Sequence, residues 1–188
     1  MKLYYTVSSA TGDQQSKPSL SLGGFRSNSL TPNSVLGNFF NDISIYSIKS
    51  ANSNKYLGLI LKNETGVDVV GIKLWFQFNE NCYSKINVSV ISLAKDSRGN
   101  NFMERVPTPY SKPLYSEFVE ASSEESELII GDLLKDEEVG IWLERELNLS
   151  LIKEDQNKIF KACDSDPYRY EEVELEKEDS ISLIINWT

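Results

Sequence analysis

The chain has 188 residues, 40% hydrophobic and 25% charged, with 28 acidic against 19 basic side chains and a formal net charge of −9. That length suits one domain with an extension, or at most two small domains, and the composition is that of a soluble globular protein with a sizeable core. Histidine is absent, which removes Ser-His-Asp and Cys-His catalysis and the commonest nitrogen ligand for metals, and no apolar run is long enough to cross a membrane.

Residues 2–8 alternate polar and apolar side chains and predict an opening strand. The same alternation lacks the continuous apolar stretch of a secretion signal, so folding in a cytoplasm is expected. Residues 9–42 differ: 21 of these 34 are Ser, Thr, Asn, Gln, Gly or Pro, so neither a helix nor an ordinary strand is expected there. Yet Leu20, Leu22, Phe25, Leu30, Val35, Leu36, Phe39 and Phe40 interrupt them without a period. Apolar side chains spaced along a segment too polar to build a core act as anchors on a surface made elsewhere. That surface belongs either to the chain's own body, the segment then being a long internal loop, or to a neighbouring subunit. Within this arm Gly23-Gly24 predicts a bend and Phe39-Phe40 an anchor.

Residues 43–188 are expected to form the body. Residues 43–50 and 55–63 read as strands separated by an Asn/Ser turn. Residues 68–79 place Val70, Ile72, Leu74, Phe76 and Phe78 on one face, and Val69, Gly71, Lys73, Trp75 and Gln77 on the other. The turn NETG at 63–66 predicts a hairpin between these last two runs. Residues 84–95 set Ile86, Val88 and Val90 against Asn87, Ser89 and Ile91. After the turn DSRGN, residues 102–106 predict a short strand, and Pro107, Pro109 and Pro113 leave a loop or an edge beyond it. SEFVEA, ESELIIGD and EEVGIWLEREL follow as strands, the last setting Val139, Ile141, Leu143 and Arg145 against Gly140, Trp142 and Glu144. Helical periodicity is confined to NLSLIKEDQNKIFKACD, where Leu151, Ile152, Gln156, Ile159, Phe160 and Cys163 approximate one face. The closing run DSISLIINWT puts Ile181, Leu183, Ile185 and Trp187 together, which makes Trp187 a core or interface residue. Short strands at regular spacing with one late helix predict an all-β fold, an antiparallel β-sandwich of jelly-roll or immunoglobulin-like type carrying an extended polar N-terminal arm.

Little catalytic chemistry is written in the chain. No phosphate-cradling Gly-rich loop occurs, and Cys82 and Cys163 read as buried thiols rather than a metal or redox pair. Acidic residues cluster at 121–127, 135–140 and 169–180, where solvated loops outweigh a glycosidase carboxylate pair or a calcium site. Trp75 and Trp142 fall opposite the main apolar sets, which suits a sugar-stacking platform or a subunit interface. Residues 1–110 carry 11 basic and 7 acidic side chains, whereas residues 111–188 carry 8 and 21. Such a split favours head-to-tail contact between copies if the two parts form separate ends, and has no such effect if they interleave in one sandwich.

Several short motifs occur in a recognisable order: Gly23-Gly24-Phe25, residues 39–42 (FFND), Leu61-Lys62-Asn63, residues 140–145 (GIWLER) and residues 184–187 (IINW). In this order the chain resembles a family of tailed-bacteriophage virion proteins of short-tailed phages, including crAss-like ones. It departs from that pattern in the inserted Leu143 before Glu144-Arg145, and in Tyr56-Leu57-Gly58 where Tyr-Arg-Cys is usual. The resemblance implies a β-sandwich virion component of the neck, tail ring or capsid, with no catalytic residues.

The expectation is therefore a non-enzymatic structural protein of a virion, assembled in the host cytoplasm as a multi-copy ring or adaptor joining head to tail. Capsid decoration is an alternative within that class, and a host-surface carbohydrate-binding module of a fibre is an alternative outside it. Residues 1–42 form the arm and 43–188 the sandwich. Phe25, Arg26, Phe39, Phe40, Trp75 and Trp142 are the candidate interface residues. The expected partners are copies of the chain and other phage structural proteins such as portal, neck, tail or capsid components, with neither nucleic acid nor membrane as main partner and no cofactor or metal.

Overall fold

The computed structural model describes residues 1–31, 40, 54–78, 84–147, 150 and 181–188. Among them the strands are β1 (Lys2–Val7), β2 (Gly24–Leu30), β3 (Lys55–Lys62), β4 (Val69–Phe78), β5 (Ser84–Ile91), β6 (Ala94–Lys95), β7 (Asn101–Met103), β8 (Val119–Glu120), β9 (Leu128–Leu133), β10 (Glu138–Leu147) and β11 (Ile181–Asn186). The strand expected at 43–50, both cysteines, Phe39 and, Ser150 apart, the helix expected at 148–164 lie outside the described residues.

Two antiparallel sheets result, one in the order β6-β7-β2-β1-β3-β10-β5-β8 and one in the order β11-β4-β9. Strand β3 has apolar residues on both faces, and it lies between β1 and β10, so Tyr56 through Leu61 are all buried. On its inner face Leu57, Leu59 and Leu61 join Tyr5, Ile86, Val88, Val139, Ile141 and Leu143. Facing them from the smaller sheet are Val69, Ile72, Leu74, Phe76 and Leu133, with Leu183 and Ile185 half-buried at the margin. Each such side chain contributes roughly 1.5–3 kcal/mol on full burial, and the two sheets can bury these apolar faces only against each other. The fold is thus the all-β sandwich expected. The outer face of the larger sheet carries a second cluster, Tyr56, Ile60, Met103, Val106 and Trp142, flanked by Leu22, Ile91, Leu93 and Phe118.

Three expectations are corrected. The turn at 63–66 does not close a hairpin, because β3 and β4 belong to different sheets. Buried Asn63 is the cause: its Nδ2 donates to the carbonyls of Val67, Leu133 and Leu134, and its Oδ1 accepts from Thr65, which ties the turn to the β9–β10 connection and sends the chain across the core. In β4 the expected face slips at one end: Val69 is buried and Val70 half-exposed. A bulge at Gly71, whose φ is 62°, interrupts the pairing with β9, and its N–H goes to Asp132 Oδ1 at 2.9 Å. The polar arm contains a strand after all, β2, paired with β1. Its buried positions are Gly24 and Ser27, and Ser27 Oγ bonds the backbone of Ser29, so the strand needs no apolar alternation.

The N- and C-terminal parts of the sequence interleave, since β10 sits between β3 and β5, so the charge split does not divide the molecule into two ends. Charges pair locally instead. Glu64 accepts from Tyr4 Oη at 2.7 Å, and Lys2 Nζ and Lys62 Nζ lie 3.0 and 3.3 Å from it. The Tyr4 hydrogen bond, followed by the lysines, holds its carboxyl down at about 2, while burial and then the same hydrogen bond push the Tyr4 hydroxyl up to about 12. Because the folded value lies below the ordinary 4.5, the stability Glu64 contributes is complete above that value and is lost as pH falls through about 2. Urea unfolding followed from pH 6 down to pH 2 is expected to show a shallower acid loss in Glu64→Gln than in the parent chain; superimposable profiles would contradict this assignment.

Candidate functional site

The outer face of the larger sheet is covered by two segments without regular pairing to it. The first is residues 16–23, which include a 3-10 turn at Pro18–Leu20 and lie as a strap over β3. Pairing of β1 with β3 stops at Tyr5↔Leu59, whereas pairing with β2 on the other edge of β1 continues through Thr6↔Arg26 and Val7↔Phe25. Ser21 fills the gap this leaves. Thr6 N–H donates to Ser21 Oγ at 2.8 Å, Ser21 Oγ donates to Gly58 O at 2.6 Å, Gly58 N–H donates to Ser21 O at 2.8 Å, and Gly23 N–H donates to Thr6 Oγ1 at 2.9 Å. Thr6 and Ser21 are fully buried, so these bonds form away from competing water.

Gly23-Gly24 makes the expected bend, and the reason is steric as well as conformational. Both have positive φ, at 86° and 102°; a Cβ on Gly23 would sit 1.9 Å from Glu104 O, and one on Gly24 2.4 Å from Val7 O. Gly58 is constrained by space alone, since its Cβ would lie 2.9 Å from Gly23 N and 3.2 Å from the Trp142 ring.

The second segment is the proline-bearing loop, residues 104–118, which the strap holds through Val106 N–H to Leu22 O at 3.0 Å. Further along, Tyr56 N–H donates to Pro109 O at 2.7 Å, and the Phe118 ring packs 5.5 Å from that of Tyr56. The Glu104 carboxylate accepts the N–H groups of Leu114, at 3.0 Å, and of Tyr115, at 3.4 Å. Val106, Pro113 and Ser116 are buried. The loop therefore has a tethered backbone, and from it Leu114 and Tyr115 project 81% and 85% exposed, with Tyr110 half-exposed nearby in sequence. Between the strap, the end of β3 and the Pro109–Tyr110 part of this loop is an open depression of about 100 Å³, lined by Pro18, Ser19, Phe40, Lys55, Tyr56, Leu57, Pro109 and Tyr110. The hydroxyl of Tyr56, one of the lining residues, is pushed up to about 12 by burial and then by its 2.8 Å bond to Glu144, which also accepts from Asn54 and Asn87.

The five described candidate residues, Phe25, Arg26, Phe40, Trp75 and Trp142, do not converge. Phe25 is half-buried with its ring 5.9 Å from Phe102, and Arg26 donates from Nε to Glu138 at 2.8 Å with its guanidinium 4.7 Å over the Tyr4 ring. Phe40 lines the depression, with the Arg145 guanidinium 5.0 Å from its ring, and Phe39 lies outside the described residues. Trp75 is half-buried on the outer face of the smaller sheet, paired across from Ile184. Trp142 is wholly buried beneath the strap and cannot serve as a surface platform. Trp187 lies past the end of β11 and is 40% exposed. Residue patterns missed Leu114 and Tyr115: the prolines marked a loop, but the Glu104 contacts that order it span ten residues and follow no local motif.

Among the described residues no helix is long and apolar enough to cross a membrane, and no group of three or more Cys, Asp or Glu side chains is placed to hold a metal ion. No protein-family model matches the chain, and neither the curated proteins nor the solved structures yield a match.

Removing the hydroxyl in Ser21→Ala strands the Thr6 N–H in the seam and is expected to lower unfolding free energy by about 1–3 kcal/mol, measured by chemical denaturation. Glu104→Ala is expected to speed amide exchange at Leu114 and Tyr115 by roughly tenfold or more, since hydrogen bonds to charged groups contribute about 1.5–3 kcal/mol. Exchange of the β3 amides should stay at the parent rate, and unchanged exchange at 114 and 115 would show that the carboxylate does not order the loop.

Proposed function

We propose that the protein is a non-enzymatic assembly component that joins neighbouring subunits in a bacteriophage particle, as a multi-copy ring or adaptor at the neck or tail. The observation that carries this reading is the knob: two large apolar side chains held almost wholly in solvent on a backbone tethered at both ends. A backbone already ordered by these tethers has little freedom left to lose on docking, the condition that favours an interface anchor. The order of short motifs shared with tailed-phage virion proteins supports the particle as the setting. A position on the capsid surface uses the same anchors and differs only in the neighbour.

One observation favours a different reading. On the outer face of the smaller sheet Trp75 and Ile184 stand beside Gln77, Asn186 and the Lys73–Glu127 ion pair, the combination of an aromatic platform with polar hydrogen-bonding groups that a sugar-binding face requires. A glycan array separates the two: specific binding lost in Trp75→Ala supports a carbohydrate-binding module.

The assembly reading is tested in particles produced from the genome that encodes this chain. Replacing it by the Leu114→Ser/Tyr115→Ser variant, shown by circular dichroism to be folded, should remove the protein from purified particles, as read by mass spectrometry and gold-labelled electron microscopy. Normal particles from which the parent protein is itself absent would overturn the reading.

A further inference from the structure

Strand β3 joins two exposed apolar patches, one at each of its ends. At the Tyr56 end is the knob, tied to β3 through Tyr56 N–H and Pro109 O. Past its far end, seven residues and about 23 Å further at roughly 3.3 Å per residue, Asn63 Nδ2 bonds the carbonyls of Val67 at 2.8 Å and Leu134 at 3.1 Å. Val67 and Leu134 are 64% and 62% exposed. Both patches are therefore built alike: a single polar side chain, Glu104 at one end and Asn63 at the other, fixes the backbone of two residues whose apolar side chains face solvent.

Their charges differ in sign. At the loop that carries the knob, Lys55 Nζ lies 5.5 Å from the Tyr110 ring and Lys112 Nζ 5.6 Å from the Phe118 ring, and with exposed Arg105 these outnumber Glu104 and Glu117 of the same loop. Around the far patch Glu64, Asp68, Asp132, Asp136 and Glu137 outnumber Lys2, Lys62 and Lys135, and two of the carboxylates are held in place: Asp68 Oδ1 accepts Lys135 N–H and Glu137 Oε2 accepts Leu134 N–H, both at 2.8 Å. Asp136, with a φ of 63°, donates its N–H to Asn63 O.

We infer that the knob of one copy docks on the Val67–Leu134 patch of the next. The contact is heterologous: each copy offers one surface and receives on the other, so repetition produces a closed ring or an open filament according to the rotation between copies. Apolar contact between Leu114, Tyr115 and the Val67–Leu134 pair supplies the attraction, and the basic and acidic rims fix which surfaces meet. This inference rests on the assembly reading above and names its partner as a second copy and its surfaces as the two ends of β3.

The test uses the full chain and two double variants, Leu114→Ser/Tyr115→Ser at the knob and Val67→Ser/Leu134→Ser at the far patch. All four positions are exposed, and melting curves check that each variant is folded. In sedimentation velocity the parent chain should form species larger than a dimer, more weakly as salt rises. Each variant alone should stay monomeric. Mixed in equal amounts, they should form a one-to-one dimer and nothing larger, because the mixture holds one intact knob and one intact patch.

The far-patch variant forming dimers alone would mean that two knobs meet symmetrically, and would overturn the inference; so would a monomeric mixture. A parent chain that is monomeric at its highest soluble concentration overturns it too. If that monomer is still found in particles in multiple copies, joining is to other components and the assembly reading stands. If the variants complement as described while the protein is absent from particles, the contact stands and the phage setting falls.

Discussion

The seam at Gly58 is the constraint on which the outer half of the molecule depends. Strand β1 stops pairing with β3 after Tyr5 while it goes on pairing with β2 along its other edge, and the unpaired backbone this leaves inside the sheet would be costly without partners. Ser21 supplies them from a segment that is neither strand nor helix. Because Ser21 must reach Thr6 and Gly58 together, the strap has to lie flat on β3, and that is possible only if residues 23 and 58 lack side chains. The strap then covers Trp142 and Ile60 and offers Leu22 O to Val106, which starts the 104–118 loop on its path.

Exposed apolar residues at the two ends of β3 follow from the same architecture. A loop that lies over a buried apolar cluster is anchored by the residues it buries, here Val106, Pro113 and Phe118, and the residues between them are forced outward. The turns at 63–68 and 133–138 are anchored by Asn63 in the same manner. In both places a polar side chain saturated by backbone groups supports apolar groups that have no partner within the described chain. Order without burial is what distinguishes these four side chains from scattered surface residues.

Much of the fold was legible in the chain. The alternations in 84–91 and 138–147 give the strands and the residues that reach the core between the sheets, since side chains on a strand take opposite faces in turn; residues 55–63 read as a strand, but covered on both faces it is buried from Tyr56 through Leu61 without alternation. Legibility failed where hydrogen bonds across long sequence separations intervened. The bulge at Gly71 moved Val69 inward in place of Val70 because Asp132, 61 residues away, took the glycine's N–H. The turn at 63–66 has hairpin composition, yet Asn63 ties it to a connection 70 residues away. In β2 the buried side of the strand is made by glycine and serine, which carry no apolar signal. For the candidate site, Gly23-Gly24 and the proline loop could be marked from sequence, but of the apolar candidates Trp142 of β10 is wholly buried and Phe25 packs half-buried on Phe102, while the exposed pair had no pattern to mark it.

By itself the sequence determined that the chain is a strand-built sandwich, that it lacks histidine chemistry, and that glycine stands at the bend of its polar arm. These are properties of composition and of period-two patterning, which depend on each residue and its near neighbours. The tertiary structure alone decided which strands share a sheet, how a strap with few apolar residues is retained over β3, and which apolar side chains remain in solvent. Those outcomes depend on where buried hydrogen-bond donors and acceptors find partners tens of residues away, and no local pattern encodes that pairing.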